Sequence, residues 1–195
     1  MRYDTEHKAR TRAKVLSEAA AAIRAAGPDG VAVAGLMAKV GLTHGGFYAH
    51  FKSKDALVAE AIGQMFEEGR RMFRSRSEGK TPGEGLARYI DWYLSEAHRD
   101  ATDRGCPLPR LSGEVARLPL PARTEFAAGA AALSALIAEA LEAMGRQEPA
   151  PLGRSVVSEM VGALSLARAE PDLDQSSQIL AASRAGLKTR LGLAD

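Results

Sequence analysis

Apolar positions recur three and four residues apart along nearly the whole chain, and no stretch keeps a sustained period of two. That pattern predicts an all-α protein of about nine helices. Leu16, Ala19, Ala20 and Ile23 form one face of a first helix, which stops at Gly27-Pro28. A short helix is expected over about 33–40, then a turn at Gly41-Leu42-Thr43, then a second short helix over about 44–50. Ser53 is placed to cap a long helix with the stripe Val58, Ala61, Ile62, Met65, Phe66, Gly69, Met72 and Phe73.

Gly79 to Pro82 separate this helix from the next, where Thr81, Pro82 and Glu84 predict a capping box with proline in the first turn. The next stripe is Leu86, Tyr89, Ile90, Tyr93, Leu94 and Ala97. Prolines break the pattern between 104 and 121, which predicts loops and a short helix near 111–118. A long helix follows over about 122–144, with Phe126, Leu133, Leu136, Ile137, Leu141 and Met144 inward. Residues 145–153 are expected to be a linker. Two last helices are expected near 154–169 and 173–191, the second capped by Asp172 with Gln175 three residues on.

The segment from Val33 to Leu57 carries the chemistry. Isolated helices below about 12 residues are marginal in water, so its two short helices need the face of the first helix as support. Three helices with a glycine-containing turn between the last two make a helix-turn-helix, whose second short helix enters the major groove of DNA. Thr43 is placed to cap that helix, and His44, Gly45 and Gly46 form its first turn. Two glycines there cost about 1 kcal/mol each against alanine, which suits bare backbone approaching base edges. Phe47 and Phe51 are expected to anchor the helix, with Tyr48 and His50 presenting polar ends and Lys52 and Lys54 meeting phosphate oxygens.

The run Gly41-Leu42-Thr43-His44-Gly45-Gly46-Phe47-Tyr48-Ala49-His50-Phe51-Lys52-Ser53-Lys54-Asp55-Ala56-Leu57 resembles the signature of the TetR/AcrR family of bacterial regulators. The resemblance covers about 8–60 in detail and otherwise the helix count and length. It implies that His44, Gly45 and Gly46 face bases while Tyr48, His50 and Lys54 hold phosphates. It also implies a small-molecule pocket in the C-terminal helices and a four-helix dimer interface from the last two. One departure stands out: Val31, Ala32 and Val33 occupy the place where family members carry a capping Thr or Ser. Arg2, Lys8, Arg10, Arg12 and Lys14 are candidates for a compensating basic arm.

The expected division is therefore 1–53 for DNA binding and 54–195 for ligand binding and dimerisation. Net charge is only +2, yet residues 1–60 hold nine Lys/Arg against six Asp/Glu and the rest seventeen against eighteen. The positive excess lies beside the motif, as a phosphate-facing end requires. Candidate ligand residues are Phe66, Tyr89, Trp92, Tyr93, Cys106, Phe126 and Met160, with plain core packing as the alternative. Cys106 is either a small buried hydrophobe or an electrophile sensor whose thiolate Arg104 and Arg110 would favour; the stretch from Gly105 to Glu114 resembles a branch of the family that regulates electrophile detoxification. Leu164, Ala167, Ile179, Ser183 and Leu187 are candidates for the dimer interface, with packing inside one protomer as the alternative.

No metal-ligand cluster, nucleotide-binding glycine loop or acid/base pair is visible, so neither a metal nor a cofactor is expected, nor an enzyme. His98 is expected at the surface. No run of about 18 apolar residues is apparent, and residues 1–14 lack a signal-peptide core, so the expected location is cytoplasmic. The expected function is a ligand-responsive repressor, binding a palindromic operator as a homodimer and released by a small-molecule effector, an electrophile among the candidates. The alternative is an all-α small-molecule carrier without DNA function.

Overall fold

A computed structural model describes residues 2–193; the side chains of residues 2–5 and of His44 lie outside the description. Among the described residues all regular structure is helical. The order is α1 (Arg2–Ala26), a 3-10 turn (Pro28–Gly30), α2 (Val33–Lys39), a 3-10 helix (His44–Ala49), α3 (Lys54–Ser77), α4 (Pro82–Tyr93), α5 (Glu96–Asp100), α6 (Leu108–Leu111), a 3-10 turn (Val115–Arg117), α7 (Leu120–Ala143), α8 (Pro149–Ala169) and α9 (Leu173–Leu191).

Local chemistry fixes several of these boundaries. The Ala56 amide donates to Ser53 Oγ at 3.1 Å and starts α3. Thr81 and Glu84 exchange both bonds of a capping box at the head of α4. Asp172 Oδ1 accepts from the amides of Asp174 and Gln175 at the head of α9. Gly41, at φ +75°, takes the left-handed conformation that closes α2 and turns the chain toward the 3-10 helix.

One continuous apolar core runs from Val15 in α1 to Leu191 in α9. α3 is its spine, packing on α1, α4 and α7. α7 lies between α3 and α8, and α8 packs on α9. The boundary expected at residue 53 thus falls on a helix cap and not on a linker.

Four expectations need correction. The 145–153 linker is shorter, because α8 begins at Pro149; proline is tolerated in a first turn, where its missing N–H has no intrahelical partner. In place of the short helix expected near 111–118 stand α6 and the 3-10 turn Val115–Arg117. α5, capped by Ser95, is a separate element that the stripe through Ala97 concealed. Finally, α7 is apolar and long enough, by length and composition alone, to cross a membrane. Its inward residues Leu133, Ile137 and Leu141 are spent on the core between α3 and α8.

The predicted dimer residues divide by burial. Leu164, Ala167 and Leu187 are buried inside the protomer, where they join α8, α9 and the core, so a partner cannot reach them. Ile179 and Ser183 are half-buried. The large apolar side chains left open on α8 and α9 are Leu166 and Leu173.

Candidate nucleic-acid interface

The 3-10 helix His44–Ala49 is held from behind by two rings. Phe47 and Phe51 are 1% and 2% exposed and stack with centroids 5.6 Å apart. Burying two such rings supplies much of the free energy that a six-residue helix lacks by itself. Arg12 of α1 completes the seat: its guanidinium lies 4.6 Å from the centroid of Phe51, Nε donates to the His50 carbonyl at 3.3 Å, and Nη2 pairs with Glu60 of α3. Arg12 therefore ties three elements together and is not part of a loose basic arm. Lys8, Arg10 and Lys14 are exposed, but on a continuous helix, since α1 extends back to Arg2.

The outer side of the 3-10 helix is open. Tyr48 is 67% exposed, and Thr43, Gly45, Lys52 and Lys54 are exposed as well. Gly45 has open space where a side chain would stand. Gly46 is half-buried against Met37. Thr43 occupies the cap position without a side-chain cap bond, which corrects the expected capping role. Ala32 likewise precedes α2 without a cap, as expected from the Val31-Ala32-Val33 departure. His50 is half-buried, with Nδ1 enclosed and unpartnered among the described residues; desolvation first, then Lys8 and Arg12, hold its pKa below the ordinary value.

The aromatic residues named as ligand contacts mainly fill the core. Phe66, Tyr89, Tyr93, Cys106 and Met160 are buried, and Phe66 meets half-buried Phe126 edge-on at 5.7 Å. Trp92 is different: it lines a cleft of about 360 Å³ with Arg24, Glu68, Gly69, Met72, His98 and Arg104.

His98, expected at the surface, is 2% exposed. Its ring stacks on Trp92 at 4.4 Å; Nδ1–H donates to the Tyr93 carbonyl at 2.8 Å, and Nε2 accepts from the Cys106 amide at 3.2 Å. Gly105, at φ +88°, must be glycine, since an added Cβ would stand 2.2 Å from His98 Nε2. With both nitrogens committed to the neutral form, burial lowers the His98 pKa from 6.5 to about 4. The unfolded chain therefore takes up this proton first as pH falls. His98 should cost about 3 kcal/mol of stability between pH 6.5 and pH 4, with full stability above 6.5. Urea denaturation across that range checks this: His98→Asn should flatten the acid limb, and an unchanged limb would refute it.

Cys106 is 6% exposed, and burial pushes its thiol pKa up despite the neighbouring Tyr93 hydroxyl. Arg104 and Arg110 do not activate it: both are exposed, facing Asp103 at 3.4 Å and Glu114 at 3.5 Å. In this conformation Cys106 is a buried hydrophobe. Two structural roles escape sequence reasoning, the seat made by Arg12 and the buried pairing of Arg24. The available signal is that each continues the apolar row of α1, and a cation in such a row calls for a buried partner.

An all-helical body carrying a seated, outward-facing helix-turn-helix defines a DNA-binding transcriptional regulator. Residues 15–61 match the family model of bacterial regulatory proteins, tetR family, so the chain carries an N-terminal domain of that family. The whole fold is similar to E. coli NemR in its reduced form, at TM-score 0.80 and 22% identity over 92% of this chain and 96% of that one. A TetR-family regulator from Agrobacterium tumefaciens gives TM-score 0.79 and 24% identity over 94% and 98%. One from Legionella pneumophila gives 0.78 and 17% over 91% and 95%. A comparison with curated proteins finds no match.

Proposed function

We propose that this chain is a ligand-responsive repressor in the cytoplasm that binds a palindromic operator as a homodimer. The supporting observation is the seated 3-10 helix with Gly45, Tyr48, Lys52 and Lys54 turned outward. His44, Gly45 and Gly46 would lie against base edges. Thr43, Tyr48, His50, Lys52 and Lys54 would bind the flanking backbone, where phosphate contacts fix register and base contacts specify. A two-fold dimer would place two such helices about 34–36 Å apart, or a multiple of it, in successive major grooves. Its interface would draw on the α8–α9 surface that keeps Leu166, Leu173, Ile179 and Ser183 accessible.

The effector acts through α3, which belongs to the cores of both ends. A tilt of α3 changes the spacing of the two reading helices, so effector and operator lower each other's affinity by the same factor. For an electrophilic effector, the loop carrying Cys106 must first open, because its thiol is buried and held protonated.

The test is a gel shift on the DNA upstream of the chain's own gene. The expected result is one retarded species with two protomers per operator. A carrier without DNA function would bind small molecules tightly and leave every promoter fragment unshifted.

A further inference from the structure

The cleft beside Trp92 has two kinds of wall. One is apolar: the Trp92 indole, Met72, Ala97, Ala101 and the bare backbone of Gly69, where an added Cβ would meet nothing within 4 Å. The other is cationic. Arg24 is only 7% exposed, with Nε donating to the Gly105 carbonyl at 2.9 Å and Nη2 to Glu68 Oε2. Arg104 stands exposed at the rim. His98 adds a flat face and no charge, since both ring nitrogens are bonded in the neutral form. Of the two guanidinium groups in the lining, Arg24 pairs with Glu68 across the cleft and Arg104 faces Asp103 at 3.4 Å. At about 360 Å³ the space falls within the usual range for a small-molecule site.

We infer that this cleft is the effector site and takes a compact apolar carboxylic acid, whose carboxylate replaces Glu68 on Arg24 while its body lies along Met72, Gly69 and the edge of the Trp92 indole, whose ring is stacked by His98 at 4.4 Å and covered by the Arg76 guanidinium at 4.6 Å. This rests on the regulator reading above and assigns its effector class and its lever. Guanidinium matches carboxylate in charge and in planar geometry. Glu68 is not stranded by the exchange, since its other oxygen accepts from Gln64 at 2.8 Å. Arg24 belongs to α1, which supports the reading helix, whereas its two acceptors belong to α3 and to the loop before α6. An acid bound there releases the Arg24–Glu68 tie between α1 and α3 and leaves the bond to the Gly105 carbonyl in place. The α5 corner is in turn fastened to the last two helices: Arg168 donates to the His98 and Arg99 carbonyls at 2.8 and 3.0 Å, and Arg99 donates to Ser176 at 3.1 Å. Movement at the Arg24 tie is therefore communicated to α8 and α9.

Trp92 is the sole tryptophan, so its emission reports on this cleft alone. The full-length protein is titrated with benzoate, phenylacetate and cyclohexanecarboxylate, and with benzyl alcohol and 2-phenylethanol as neutral counterparts. The acids should change Trp92 emission saturably and bind about tenfold tighter than the alcohols, the margin expected for a charge-assisted bond. Arg24→Gln should erase that margin. Gly69→Leu, which fills open space and favours the helix, should abolish the response without unfolding the chain. Acids that leave Trp92 unchanged, or that bind Gly69→Leu as well as the natural protein, overturn the inference. Operator affinity, measured on the same samples without any acid, separates the two readings. DNA binding with no acid response removes the effector site and leaves the regulator. Acid binding with no DNA affinity at low salt removes the regulator and leaves a small-molecule site.

Discussion

Changing Tyr48 and Lys54 together to alanine should lower operator affinity by more than 100-fold. A hydrogen bond to a charged group contributes about 1.5 kcal/mol or more, so two come to about 3 kcal/mol for each protomer, and one half-site alone accounts for a loss of about 100-fold. The fold should survive. Both residues are exposed, and Tyr48 makes an edge contact with Phe47 at 5.3 Å. The expected loss of stability is at most about 1 kcal/mol. Fluorescence anisotropy with a labelled promoter fragment, alongside a urea melt, separates the two effects. Unchanged affinity in a folded double variant would remove the 3-10 helix from the DNA interface.

The second large effect concerns the seat of that helix. Phe47 is 1% exposed and stacks on Phe51, whose ring lies under the Arg12 guanidinium. Phe47→Ala should destabilise the protein by about 3–5 kcal/mol, the usual cost of deleting a buried ring. The two rings are the buried apolar part of the seat that orients the 3-10 helix, beside the Arg12 bond to the His50 carbonyl, so DNA binding should fall with stability. A loss below about 1 kcal/mol, well under that usual cost, would mean that the reading helix is held by something other than its aromatic anchors.

Features that depend on near neighbours along the chain are legible in the sequence. Ser53, the Thr81–Glu84 box and Asp172 cap the helices they are expected to cap, because a cap bond spans only two or three residues. The helix-turn-helix is legible for the same reason: Gly41, Phe47 and Phe51 lie close together in the chain. Features that depend on distant partners are not legible. His98 looks like a surface residue until Gly105 and Cys106 fold over it. Arg24 has its acceptors at 68 and 105, so its place in the apolar row of α1 calls for a partner without saying which. Leu164, Ala167 and Leu187 have the spacing of helical faces, but periodicity does not tell whether such a face meets its own chain or a partner; here they are buried in their own protomer. Pro149 reads as linker because proline breaks a helix interior, whereas it fits a first turn.

The most direct measurement is the salt dependence of binding to the promoter fragment. Lys52 and Lys54 from two protomers offer four cations to phosphates, and a duplex releases about 0.9 counterion for each phosphate neutralised. Affinity should therefore fall roughly 100-fold between about 50 and 200 mM salt. An affinity that stays flat over that range, or no binding at the lowest salt, would contradict a DNA-reading role for this helix.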